Sequence, residues 1–347
     1  MKNNFIQKIL STKDPYIIAE IGINHNGNLD LAKRMIKSAK ENGAHCVKFQ
    51  KFIADNYISK YAQKARYQKS DKKVINKSQL EIIKSCELNI NELSILKKFC
   101  KKKKIDFLCT PFEQKSLGEL LKIKVEAIKI SSCNLNNIPF LKDAAKTKLP
   151  ILLSTGMGEL QEVKDAVKIF KKTRSPLLLF QCTSNYPSKI ENANLSVLDS
   201  YKKLFKCPVG LSDHTSSMIP AIVSVAKGAV VIEKHFTLSR KLPGIDQNAS
   251  IEPSELKELS NLTKLSKISI GNSLKKRTKE EFDTLKSLRR SLVAGIDLKK
   301  GTKINKSMIL IKRPGNGLST TYLKKIVGLK LKKNMKKDQL FKINDFS

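Results

Sequence analysis

Along residues 16–234, short apolar runs alternate with longer amphipathic stretches. The runs occupy residues 16–21, 46–50, 106–110, 127–131, 150–154, 177–181, 208–212 and 230–234. Each is too short for a helix and is bounded by polar or turn-forming residues, so each predicts a strand buried on both faces. The stretches between them repeat apolar positions at helical spacing. Asn28 is placed to cap a helix carrying Leu29, Ala32, Ile36 and Ala39 on one face, with Gly43 as its stop. Leu160, Val163, Val167 and Phe170 form a second such face, and Leu256, Leu259, Leu262 and Leu265, after Pro253 and Ser254, a third. Strands alternating with helices in this number predict an α/β fold, a closed (β/α)8 TIM barrel over residues 1–271. An open doubly wound sheet competes with it. However, the first strand leads into Asn24-His25-Asn26-Gly27-Asn28, not into the glycine-rich turn of a dinucleotide site.

Beyond Gly271 the pattern changes. Residues 272–289 are rich in charge and read as a linker with a short helix, and residues 290–347 show short β-like runs separated by glycine turns. The latter predict a separate small β-rich domain with little core of its own.

Hydrophobic residues make up 40% of the 347, enough for a sizeable core. The most apolar stretch, residues 218–232, is interrupted by Lys227, and the N-terminus lacks the apolar segment of a signal peptide. The seven cysteines are scattered, with no CxxC pair, which predicts free thiols in a reducing compartment. The expectation is a soluble, cytoplasmic protein. A formal net charge of +36, from 67 Lys+Arg against 31 Asp+Glu, raises nucleic-acid binding as a function class. Yet the basic residues are nearly all lysine and are spread along the whole chain. Aromatic residues are only 6% and tryptophan is absent, so stacking platforms are scarce. The charge is read as a solvated surface whose field favours anionic small molecules, with neither nucleic acid nor membrane as partner.

Polar residues fall where a parallel barrel builds its site, at the C-terminal ends of the strands. In chain order these are Glu20, Lys48 and Gln50, Thr110, Lys129 with Ser131 and Ser132, Ser154, Ser184 and Tyr186, Ser212 with Asp213 and His214, and Glu233 with Lys234 and His235. Lys48 and Lys129 sit inside otherwise apolar strands, where an unpaired ammonium is costly. They would either clamp a phosphate and a carboxylate or pair with Glu20 or Glu233. The hydroxyls of Thr110, Ser132, Ser154 and Ser212 suit phosphate oxygens. His214 and His235 follow neighbouring strands, and two convergent imidazoles suit a divalent transition metal able to polarise a sugar aldehyde. His25 could join them or simply belong to its turn, and His45 falls at the wrong end of its strand. Asp246, in the loop after the last strand, could accept from sugar hydroxyls. Arg313, in the turn Lys312-Arg313-Pro314-Gly315, could enter a neighbour's site as a bidentate donor.

The segments AEIGINHNGN, FLCTPF, IKISS, ILLSTGM, QCTSNYP, GLSDHT, EKHFTL and LPGIDQNAS, in this order, resemble the sialic acid synthase family, makers of nonulosonic acids. The tail, from RSLVAGIDLKKG to KRPGNG, resembles that family's SAF (antifreeze-like) domain. The resemblance implies condensation of phosphoenolpyruvate (PEP) with the open-chain aldehyde of an N-acetylated hexosamine, N-acetylmannosamine first. A diacetamido-trideoxyhexose, the legionaminate or pseudaminate substrate, is the alternative. It implies a divalent metal, Mn²⁺ or Mg²⁺, on His214 and His235. It also implies PEP contacts at Lys48, Lys129, Ser132, Ser154, Ser184 and Ser212, with Glu20, Gln50 and Glu233 near the reacting centre and Tyr186 and Asp246 on the sugar side. A domain-swapped homodimer that brings Arg313 to the partner's sugar site is expected too. Two features bear on the acceptor. Asn134 stands where many members carry glutamate near the sugar, and Ala65-Arg66-Tyr67-Gln68 is closer to the neuraminate and legionaminate branches.

Overall fold

The computed structural model describes residues 4–65 and 77–347. It divides into two compact units, Met1–Gly271 and Asn272–Ser347.

The first unit is a TIM-like barrel of eight parallel strands: β1 (Tyr16–Gly22), β2 (Cys46–Lys51), β3 (Asp106–Pro111), β4 (Ile128–Ile130), β5 (Ile151–Ser154), β6 (Leu177–Cys182), β7 (Val209–Asp213) and β8 (Val231–His235). The hydrogen-bonded order is β3-β2-β1-β8-β7-β6-β5-β4, and β3 lies against β4 to close the ring. Strand alternation separates two cores. Ile17, Ala19, Val47, Phe107, Ile128, Leu153, Leu179, Leu211 and Ile232 pack outward against the helices. Tyr16, Ile18, Cys46, Leu108, Leu152, Phe180 and Val231 fill the lower lumen together with Phe5, Ile6 and Ile9 of the N-terminal helix Phe5–Ser11. The residues one pleat further along the same inward rows are polar: Glu20, Lys48, Thr110, Lys129, Ser154, Ser212, Glu233 and His235 are all buried.

Local signals act as anticipated. Asn28 accepts from the Leu31 amide and caps Leu29–Glu41, and Gly43 adopts the left-handed conformation after it. The helix Pro253–Ile270 differs in detail. Leu256 and Leu259 are buried, but Thr263 takes the next core position and Leu265 is 51% exposed. A period of 3.6 residues carries the buried face from 259 to 263, and positions spaced strictly by three drift off it. Among the described residues no helix is long and apolar enough to cross a membrane.

In the second unit, β9 (Ser291–Ala294) pairs antiparallel with β10 (Ile309–Lys312). Leu292, Ala294, Leu298, Ile304, Met335 and Phe341 form its own small core. The short helix anticipated before it is Glu281–Leu288, none of whose residues is buried.

Candidate active site

Inward positions of the strands gather at the C-terminal mouth of the barrel. An inner cavity is lined by Glu20, Lys48, Gln50, Thr110, Lys129, Ser132, Ser154, Ser212, His214, Glu233 and His235, together with Phe112, Ser131, Cys182 and Tyr186. It lies deep in the lumen because each polar residue stands one pleat above the apolar plug. The registers Ser212↔Glu233 and Glu20↔His235 set the neighbours side by side.

Both lysines are paired. Lys48 Nζ lies 3.0 Å from Glu20 and 3.5 Å from Glu233, and donates to Thr110 Oγ1 at 3.2 Å. Lys129 Nζ lies 3.3 Å from Glu233, donates to Ser154 Oγ at 2.6 Å and sits over the Phe180 ring. Ser212 Oγ donates to Glu233 Oε1 at 3.0 Å, and Gln50 Nε2 donates to Glu20 Oε1 at 3.0 Å. Burial alone would raise the Glu233 carboxyl, but Lys129, Lys48 and the Ser212 hydroxyl hold it down at about 2. Glu20 is displaced the other way. Its burial and the nearby Glu233 charge outweigh Lys48 and raise it. Burial lowers the Lys129 ammonium against the pull of Glu233, while Glu20 and Glu233 hold Lys48 up against its burial, so two basic groups share one carboxylate that stays charged and a second that gains a proton more readily. A small polyanion is the complementary ligand.

Gly156 lies against two of the candidate serines, Ser132 and Ser184. A Cβ there would meet Ser184 Oγ at 2.3 Å and Ser132 Oγ at 2.9 Å, while its amide donates to Ser132 Oγ at 2.9 Å. Ser132 and Ser184 therefore crowd the Gly156 backbone, and a side chain there would displace their hydroxyls.

The histidines differ in setting. His214 Nδ1 lies 2.8 Å from the Thr183 carbonyl and 3.8 Å from Cys182 Sγ, so Nδ1 carries a proton, and in the neutral ring Nε2 is the nitrogen with the free lone pair. Burial lowers the His214 imidazole, yet Cys182 and the Thr183 carbonyl raise it overall. His235 is held well below the usual range by burial, His214 and Lys48, so it is neutral. The two rings are 5.4 Å apart, and Tyr186 packs against both. Among the described residues, His235 Nδ1 and Glu233 Oε2 are buried without a hydrogen-bond partner. Asp246 Oδ2 approaches His235 Nδ1 to 3.9 Å, and burial followed by Glu20 pushes its carboxyl up to about 7. A neutral imidazole with a partnerless buried nitrogen, beside a second imidazole of fixed tautomer, fits a divalent cation of borderline softness. No group of three His, Cys, Asp or Glu side chains among the described residues could enclose an ion alone. Any further coordination would fall to water or substrate.

An outer cavity of about 330 Å³ adjoins the inner one and shares Gln50, Phe112, Ser131, Ser132, Tyr186 and His235 with it. Ser184 and Asp246 line it as well, together with the apolar side chains of Ile23, Phe52, Ile58, Ile83, Met157 and Ile245.

Several candidate residues fall elsewhere. Asn134 lines neither cavity. It donates to the Phe112 carbonyl at 3.1 Å and accepts from Asn137, which supports the cavity wall from behind. Arg313 belongs to the second unit. Of the Ala65–Gln68 segment, residues 66–68 lie outside the described residues. His25 is a turn residue: Nδ1 accepts from the Gly27 amide, its ring is tied to the Gly22 backbone, and burial lowers it to about 4. His45 Nδ1 accepts from the Ile17 amide at the base of the barrel. In the sequence Cys182 reads as one of the scattered free thiols. It lines the inner cavity, where burial pushes it up but His214 draws it down to about 7. Its position after Gln181 on an inward row was the available signal. Gly156 was visible only as the residue after Ser154-Thr155.

The NeuB family model matches residues 35–275 and the SAF domain model residues 289–347. The chain is 40% identical to N,N'-diacetyllegionaminic acid synthase of Campylobacter jejuni, over 95% of this chain and 99% of that protein. It is 38% identical to the enzyme of the same name from Legionella pneumophila, over 96% and 95%. Among solved structures, the N-acetylneuraminic acid synthetase of Leptospira borgpetersenii superposes with a TM-score of 0.71 at 36% identity, over 79% of this chain and 90% of that one. The chain therefore belongs to the NeuB family and carries a SAF domain after its barrel.

Proposed function

We propose that this protein is a nonulosonic acid synthase that joins PEP to an uncharged, N-acetylated amino-hexose with release of phosphate. The observation that carries the reading is the convergence of Lys48, Lys129, Thr110, Ser132, Ser154 and Ser212 on one buried cavity. That cavity opens into an outer chamber at His235, Tyr186 and Gln50. PEP, a compact trianion, suits the inner cavity. Lys48 and Lys129 would neutralise its phosphate and carboxylate, and the Ser132, Ser154, Ser184 and Ser212 hydroxyls would orient the phosphate.

C3 of PEP attacks the sugar aldehyde, water adds at C2, and phosphate departs by C–O cleavage. Glu233 stays anionic between the lysines and keeps them aimed. Glu20, with its raised carboxyl and Gln50 at its side, is the group able to carry a proton at the reacting centre. The residues that would hold a divalent ion, Mn²⁺ or Mg²⁺, are His214 and His235, and a bound ion would supply Lewis-acid polarisation of the aldehyde. Tyr186 and Asp246 face the sugar. A homodimer whose Arg313 reaches the partner's sugar site, and a cytoplasmic location, complete the proposal.

For the acceptor, two observations favour a diacetamido-trideoxyhexose over N-acetylmannosamine. The outer wall of Ile23, Phe52, Ile58, Ile83, Met157 and Ile245 suits deoxy and acetyl methyl groups better than hydroxyls. Two relatives across nearly the full chain are named N,N'-diacetyllegionaminic acid synthase. Purified protein incubated with PEP, Mn²⁺ and each candidate sugar should release phosphate and yield a product whose mass is that of PEP, sugar and one water together, less phosphoric acid, fastest with the diacetamido sugar. Absence of phosphate release across the whole panel would sink the proposal.

A further inference from the structure

Strand β7 ends in Ser212-Asp213 and is followed directly by His214, and β8 ends in Glu233-Lys234-His235. The outer members of each triplet face the lumen and belong to the cavity. The middle ones, Asp213 and Lys234, fall on the opposite row, with Leu211 and Ile232 of the helix-side core. They have no place in the reaction outlined above, yet their side chains are only 2% and 1% exposed.

They are also paired in register across the two strands. Lys234 Nζ donates to Asp213 Oδ2 at 2.7 Å, to the Thr215 carbonyl at 2.6 Å and to the Ser217 carbonyl at 3.3 Å. Asp213 Oδ1 accepts from the Thr215 amide at 2.9 Å. All three ammonium protons are thus committed, one to the end of β7 and two to the backbone just beyond it. The chain from 213 to 217, with His214 inside it, is tied down onto β8 from behind. On the lumen side the His214 ring meets the Thr183 carbonyl, and its own carbonyl accepts from the Ser188 amide at 2.8 Å.

We infer that Asp213 and Lys234 form a positioning pair: they fix the backbone of His214 against β8 and thereby set the spacing of the His214 and His235 imidazoles for a divalent cation. A buried ion pair adds little net stability over a well-packed apolar pair, so what this arrangement supplies is geometry. It acts on the cation site as outer-shell partners do elsewhere, holding ligands without touching the ion. The inference rests on the reading of His214 and His235 as cation ligands.

The test uses full-length protein, Mn²⁺ binding followed by the electron paramagnetic resonance of free Mn²⁺, and thermal unfolding. Lys234→Met removes the tether to Thr215 and Ser217 but leaves Asp213 unpaired, so it should lower both Mn²⁺ affinity and Tm. Affinity should fall about tenfold or more, the usual effect of losing an outer-shell partner. The double variant Asp213→Asn with Lys234→Met has no orphaned charge. It should recover most of the lost Tm while its Mn²⁺ affinity stays weakened. PEP affinity measured without metal should stay within about twofold of wild type, since most of the anion contacts come from other strands. The inference is overturned if Lys234→Met binds Mn²⁺ like wild type. It is equally overturned if affinity recovers in step with Tm in the double variant, or if PEP affinity falls as much as Mn²⁺ affinity. Wild-type protein that takes up no Mn²⁺ would instead remove the cation reading, and this inference with it.

Discussion

Glu233 stands between two ammonium groups at 3.3 and 3.5 Å, and this one residue links stability to function. Its carboxyl falls from 4.5 to about 2 on folding. A lowered carboxylate contributes stability that is fully present above pH 4.5 and is lost as pH falls through 2. Glu233→Gln should therefore flatten the part of the acid-unfolding profile between those two values, and denaturant titrations of both proteins across that range would show it. An unchanged difference between wild type and variant across the window would refute the assignment. At the reacting end, His235→Ala should abolish metal-dependent phosphate release while circular dichroism and Tm stay close to wild type. Retained metal-stimulated activity would remove His235 from the proposed cation site.

At the level of elements, the turn after β5 and the helix beneath the barrel serve separate ends. Gly156 lets the backbone approach Ser132 and Ser184, and a methyl group there would lie 2.3 Å from Ser184 Oγ. Gly156→Ala should raise KM for PEP by about tenfold or more, because the hydroxyls must move to make room. The sugar KM should change far less, and steady-state kinetics in each substrate would reveal an equal effect that contradicts this role. The helix Phe5–Ser11 buries Ile9 against the lower lumen, on the far side of the apolar plug from the polar cluster. Ile9→Ala should cost about 2–5 kcal/mol of stability, as expected for a buried large-to-small change, with both KM values unaltered. Stability unchanged in urea titration would mean that the helix does not seal the barrel.

Over the whole molecule, a formal charge of +36 surrounds a cavity built for a polyanion. Long-range attraction of this kind is screened within about 10 Å at 0.1 M salt. It acts on encounter, not on the bound complex. Raising ionic strength with an inert salt should thus lower kcat/KM for PEP several-fold while kcat holds nearly constant. A kcat that fell in parallel would point to disruption of the site itself.

The strands and their order along the chain were legible in the sequence because each rests on a local rule: apolar runs of strand length, helical spacing, and Asn and Gly at helix ends. The polar residues at strand ends were legible too, since strand alternation places every second residue inward once the barrel is granted. What local pattern could not decide was pairing. Lys48 and Lys129 could as well have been free anion clamps as partners of Glu20 and Glu233, and only the closed ring, which sets β1, β2, β4 and β8 around one lumen, put all four within ion-pair distance. The same holds for Asn134, which is read beside the sugar in sequence but hydrogen-bonds behind the cavity wall. It holds as well for Cys182 and Gly156, whose roles depend on atoms of other strands. The amino-acid order by itself determined which residues face inward, through the two-residue period of a strand. The tertiary structure alone decided which of them meet and with what charge, because burial and Coulomb interaction depend on distances that ring closure sets.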